Sequence, residues 1–149
     1  MIVLFVLLIS LLLYRTIGAL GVAALASWTG ATRYALATML VFTASAHFTK
    51  MKSDLVRMMP EWIPQPLALI YFTGLCEIAG AIGLLLPRVR QAAGLALIVF
   101  FIVVFPANVK AAQSGVGLGG KRPTPLWLRA SMQVLFVVLT WWSALRNAG

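Results

Sequence analysis

From Pro66 to Leu86 the chain runs through apolar and small residues with one charged side chain, Glu77, near the midpoint. About 20 such residues suffice for a helix to cross the hydrocarbon core of a bilayer. Pro66 suits a first helical turn and Pro87 stops the helix beyond its end. A carboxylate at that depth costs from about 2.5 kcal/mol upward, so it faces protein and has a partner. Gly74, Glu77 and Ala81 recur at i, i+3 and i+7, with Thr73 and Gly80 beside them. The acid therefore shares its face with small side chains that let neighbouring helices approach. The expectation is a Glu77 that points into a bundle.

The rest of the composition agrees. Of 149 residues, 62% are hydrophobic and 10% charged, and the mean hydropathy is +0.98. A soluble domain of this size cannot shield so much apolar surface from water. The net charge of +9 comes from 12 Lys and Arg against three acids, scattered in small groups beside apolar runs. Such a distribution fits interfacial anchoring and topology signals, and no nucleic-acid partner is expected. One cysteine, Cys76, excludes an internal disulfide and a CxxC pair. One His and three acids leave too few ligands for a metal site.

The pattern predicts an all-α integral membrane protein with five spans, over residues 2–28, 31–49, 66–86, 91–108 and 126–145. It is a four-helix transmembrane bundle plus an extra N-terminal membrane helix. Ala24-Leu25-Ala26 resembles a signal-peptide cleavage site, but no positive charge precedes the apolar run and Arg15 falls inside it. A retained first helix is the expectation. Met51, Leu55, Met58 and Met59 alternate with Lys50, Lys52, Asp54 and Arg57, predicting a short interfacial amphipathic helix over 50–59. Residues 109–125 read as a flexible polar loop. Within it, Gly115 to Lys121 formally fits two phosphate-loop patterns, but a membrane helix precedes it and Pro123 follows, so the match is rejected.

Five passes place Lys50, Lys52, Arg57, Lys110, Lys121, Arg122 and Arg129 on one side, and Arg33, Arg88, Arg90 and Arg146 on the other. Seven cations against four make the first side cytoplasmic and put the N-terminus there, in a cell membrane. Counting about 1.5 Å per residue sets His47, Tyr71, Glu77, Asn108 and Gln133 around one polar pocket that opens to that side, with Glu77 as its floor. The same count sets Arg15 at mid-membrane, where a carboxylate partner for it has to be Glu77. The alternative is that Arg15 snorkels or the first helix shifts outward, which leaves Glu77 free to be protonated or to bond His47. The polar groups either satisfy one another as interhelical hydrogen bonds or receive a ligand.

Ala44-Ser-Ala-His47-Phe48, Met59-Pro60-Glu-Trp62-Ile-Pro64, Tyr71-Phe-Thr-Gly74-Leu-Cys-Glu77 and Phe105-Pro106-Ala-Asn108 together resemble the DoxX-like membrane proteins, over about residues 31–146. The resemblance implies a four-helix bundle marked by His, Glu and Asn. It also implies an association with membrane redox systems, since the family takes its name from a small subunit found with a thiosulfate:quinone oxidoreductase. It brings no established catalytic residues. The chain departs from the common pattern in its extra N-terminal helix and in Ala44, where a glycine is frequent.

Three functions follow as expectations. The first is an accessory subunit of a membrane redox system that binds a quinone or another apolar ligand in the pocket. No electron carrier is encoded, so any redox chemistry needs a partner protein. The second is a non-catalytic assembly or scaffold protein. The third, a small-solute transporter, is weakened by the lack of a visible inverted repeat.

Overall fold

The computed structural model describes residues 2–113, 115, 117–120 and 124–146. Among these residues every regular element is helical. They are α1 (Ile2–Ala19), α2 (Trp28–Phe48), α3 (Lys52–Met58), α4 (Pro66–Leu85), α5 (Arg90–Val103), α6 (Phe105–Gln113) and α7 (Leu126–Thr140). A π-helical turn, Trp141–Arg146, continues α7. Four stretches are long and apolar enough to cross a membrane: Ile2–Ala19, Pro66–Leu85, Arg90–Gln113 and Leu126–Arg146.

The helix missing from that set, α2, is the best covered of all. Ala31, Ala35, Leu36, Met39, Leu40 and Ala44 are buried along it, and it packs most extensively on α4 and α1. Its composition explains both facts. Thr, Ala and Gly lower its hydropathy, and the same small residues allow close approach from both sides. Leu7 of α1, Leu84 of α4, Leu97 and Phe101 of α5 and Ala144 complete the core. The outer faces are bare apolar surface, including Phe5, Ile9 and Leu12 on α1, Phe72 and Leu75 on α4, and Val99 and Ile102 on α5. That is the inversion expected of a bundle surrounded by lipid.

Several boundaries differ from the expected spans. The first helix stops at Ala19 rather than near 28. A turn through Gly21, whose φ of +110° suits glycine, and a 3-10 turn at Ala23–Leu25 reverse the chain. Ser27 then caps α2 by accepting from the Gly30 amide at 3.0 Å. The reversal packs tightly, since a Cβ on Gly18 would collide with the Leu25 carbonyl. The fourth rod runs from Arg90 to Gln113, with a break at Val104 and not an end at 108. Pro106 sits in the first turn of α6, where its missing amide is tolerated.

Residues 109–113 are therefore helix and not loop. Farther on, the Gly119 amide donates to Asp54 Oδ2 at 2.9 Å and ties the Leu118–Gly120 turn to α3. Lys121 and Arg122 lie outside the described residues. The short helix expected near 50–59 is present as α3.

Candidate functional site

Glu77 is 9% exposed on the inner face of α4, together with Gly74, Gly80 and Ala81. It faces α2. Thr43 Oγ1 donates to its Oε2 at 2.8 Å, and His47 Nε2 lies 3.7 Å from its Oε1. The second distance is an ion-pair separation, too long for a direct hydrogen bond. Thr43 and His47 are one helical turn apart, so both side chains project from one face of α2.

The tautomer of His47 follows from its other nitrogen. Nδ1 is 2.7 Å from the Ile70 carbonyl and 3.2 Å from Thr73 Oγ1. A carbonyl only accepts, so Nδ1 carries the hydrogen. Thr73 gives its own proton to the same Ile70 carbonyl at 2.9 Å and accepts from Nδ1. Nε2 is then the exchangeable nitrogen, and it faces the carboxylate. This close fit needs Gly74, because a Cβ there would come within 2.7 Å of His47 Cβ.

The remaining expected pocket residues lie elsewhere. Tyr71 turns toward α3: its hydroxyl accepts from Lys52 Nζ at 2.7 Å and its ring stacks on Phe48 at 5.9 Å. Asn108 of α6 and Gln133 of α7 form a second polar set. Asn108 Nδ2 donates to Gln133 Oε1 at 2.9 Å, Arg129 Nη1 donates to Asn108 Oδ1 at 3.1 Å, and Gln133 Nε2 donates to the Phe101 carbonyl. Among the described residues no hydrogen bond or ion pair joins this set to Glu77. The single pocket expected around His47, Tyr71, Glu77, Asn108 and Gln133 is therefore divided into separate interhelical contacts.

The expected ion pair between Arg15 and Glu77 is not made. Because α1 ends at Ala19, Arg15 stands one turn from a helix end and not at mid-depth. Its Nη1 donates to the Ala26 carbonyl at 2.6 Å and to the Leu25 carbonyl at 3.3 Å, and its guanidinium lies 4.8 Å from the Trp28 ring centroid. It braces the α1–α2 reversal.

Sequence reasoning did not single out Thr43, Lys52 or Arg129 as partners. Thr43 was within reach of it, since it precedes His47 by four residues. Two shallow surface depressions, of about 390 and 600 Å³, share Pro60, Glu61 and Lys110. None of the five expected pocket residues lines either one. Lys110 Nζ bonds Glu61 Oε1 at 2.9 Å and holds that carboxyl below the usual carboxylate range. Among the described residues no group of His, Cys, Asp and Glu is arranged to hold a metal.

Residues 36–144 match the family model described as a domain of unknown function, DUF8561. The matched stretch includes His47, Tyr71, Glu77, Asn108 and Gln133 and begins after α1. No curated protein and no solved structure matches the chain.

Proposed function

The chain belongs to the DUF8561 family, and we propose that it is a multi-pass accessory subunit that assembles with a partner in the cell membrane rather than a catalyst. The observation that carries this reading is polar satisfaction. His47 Nδ1, Glu77 Oε2, the Tyr71 hydroxyl and the amides of Asn108 and Gln133 each hydrogen-bond a protein group, and His47 Nε2 and Glu77 Oε1 face one another at ion-pair distance. Buried groups spent on one another fix helix register and leave nothing aimed at a ligand. The client is the hydrocarbon-facing surface of another membrane protein, of a redox system as the DoxX-like resemblance implies.

In this reading α2 is a fifth pass, α3 lies in the interface with Lys50 and Arg57 in water, and the N-terminus is cytoplasmic. The placement of Arg15 at the α1–α2 reversal adds it to the second side and narrows the charge bias to seven against five, still favouring the same orientation.

A second reading, a quinone-binding subunit, rests on the ionisable pair His47–Glu77, since packing alone needs no charge at that depth. Extraction in a mild detergent, native mass spectrometry and quinone analysis separate the two. A stoichiometric protein partner without quinone is expected. Stoichiometric quinone that disappears in Glu77→Gln would overturn the first reading in favour of the second.

A further inference from the structure

The end of the bundle opposite the His47–Glu77 pair carries arginine and no acidic side chain. Arg15 and Arg33 flank the α1–α2 reversal, Arg88 and Arg90 form the α4–α5 turn, and Arg146 closes the π-helical turn. The three acids of the chain, Asp54, Glu61 and Glu77, all engage groups elsewhere: the Gly119 amide, Lys110, and Thr43 with His47. The described lysines, Lys50, Lys52 and Lys110, also lie away from this end.

Register brings two of the arginines together. Thr43 meets Glu77 and His47 meets Ile70, so α2 and α4 run antiparallel. Continuing that register sets the first turns of α2 level with the last turn of α4. Arg33 stands there on α2, and Arg90 reaches the same level by donating from Nε to the Leu84 carbonyl at 3.2 Å. The two charges repel one another.

Both guanidiniums are steadied from behind by neutral oxygens. Arg33 Nε donates to the Thr29 carbonyl at 3.1 Å and its Nη2 lies 3.5 Å from Thr29 Oγ1. Arg33 Nη1 and both Nη atoms of Arg90 make no hydrogen bond among the described residues. Two half-buried cations of like sign at one level, without a carboxylate beside them, would be stabilised by an anion. The free edges of guanidinium groups match paired oxygens of a phosphate better than an ammonium does.

We propose that Arg33 and Arg90 seat the phosphodiester of an anionic phospholipid, with the exposed Arg88 and Arg146 drawing such lipids to this end. A bundle in a bilayer meets headgroups at this level, which makes lipid the source of the phosphate. The inference is independent of the accessory-subunit reading.

Native mass spectrometry of the full chain, released from micelles doped with equal phosphatidylglycerol and phosphatidylcholine, tests it. Phosphatidylglycerol should be retained in preference by about tenfold. The preference should vanish in Arg33→Gln/Arg90→Gln and persist in Lys50→Gln/Arg57→Gln at the opposite end. Retention of both lipids alike, or equal loss of the preference in the two double variants, would overturn the proposal. So would displacement of the lipid by millimolar inorganic phosphate, which would mark a site for a free anion. Should the glutamine variant unfold, Arg33→Lys/Arg90→Lys decides: charge without the fork should weaken the preference, and an unchanged preference refutes the seat.

Discussion

Thr43 donates its hydroxyl to Glu77 across the α2–α4 seam at 2.8 Å, and this short contact is what holds the carboxylate in register with His47. A charge-assisted bond of this kind contributes about 1.5–3 kcal/mol where the surroundings exclude water. Thr43→Val, which keeps the shape and removes the hydroxyl, should lower the unfolding free energy by about 1–2 kcal/mol. The loss should be strongly non-additive with Glu77→Gln, with a coupling of at least about 0.5 kcal/mol in a double-mutant cycle. Simple additivity would show that the bond does not connect the two helices energetically.

Arg15 and Glu77 should behave as strangers. They share no partner, Arg15 contacting Leu25, Ala26 and Trp28 and Glu77 contacting Thr43 and His47, so Arg15→Gln and Glu77→Gln should add within about 0.3–0.5 kcal/mol. The single change at Arg15 should loosen the α1–α2 reversal by releasing the Leu25 and Ala26 carbonyls. Rescue of Arg15→Gln by Glu77→Gln would restore the ion pair that the structure lacks.

Gly74 is the contact point of α4 on His47. Gly74→Ala should push the imidazole away from the Ile70 carbonyl and cost about 1–3 kcal/mol, as overfilled cores do. Thermal unfolding in detergent gives the cost, and the imidazole nitrogen shifts in NMR report whether Nδ1 keeps its hydrogen bond. A neutral substitution with unchanged shifts would contradict the packing described.

Acid should release the segment between α3 and α4 from α6. Lys110 hydrogen-bonds Glu61 and holds its carboxyl below the usual range. A carboxyl depressed in the folded state stabilises it above the pKa of the unfolded chain, and that contribution is lost as pH falls through the folded value. The tie is therefore intact at neutral pH and opens below the ordinary carboxylate range. Glu61 is exposed and the pair is screened by salt, so the effect on overall stability is small. A carbon-detected titration of Glu61 should give a lowered midpoint that returns to normal in Lys110→Met.

How far the sequence reaches can be judged at particular residues. Pro66 and Pro87 bracket α4 almost to the residue, because proline marks helix ends through its own covalent geometry. The inward face of Glu77 follows from the spacing of Gly74 and Ala81, because small residues line helix contacts. The end of α1 was hidden. Apolar composition continues unbroken through Leu20–Leu25, and hydropathy does not register a reversal made by Gly18, Gly21 and the Ser27 cap. That misplaced end put Arg15 at mid-membrane. The single pocket failed for another reason: depth along an axis gives the level of a side chain but not its azimuth. Tyr71, Asn108 and Gln133 share a level with His47 yet turn toward Lys52, Arg129 and Phe101.

The central helix has a consequence for synthesis. If α2 is a pass, as proposed, it enters hydrocarbon with His47 lacking the Ile70 carbonyl that receives it, which belongs to α4, while the Thr43 hydroxyl turns to the Met39 and Leu40 carbonyls of its own helix. At about 5–20 residues per second, the 37 residues from Phe48 to Leu85 take roughly 2–7 s to emerge. Throughout that delay α1 is the one neighbour already made, joined to α2 by the Tyr14–Thr38 bond at 2.8 Å. On the proposed topology the nascent α1–α2 hairpin would pass this interval with one flank open, and whatever shelters that flank would act as a temporary stand-in for α4.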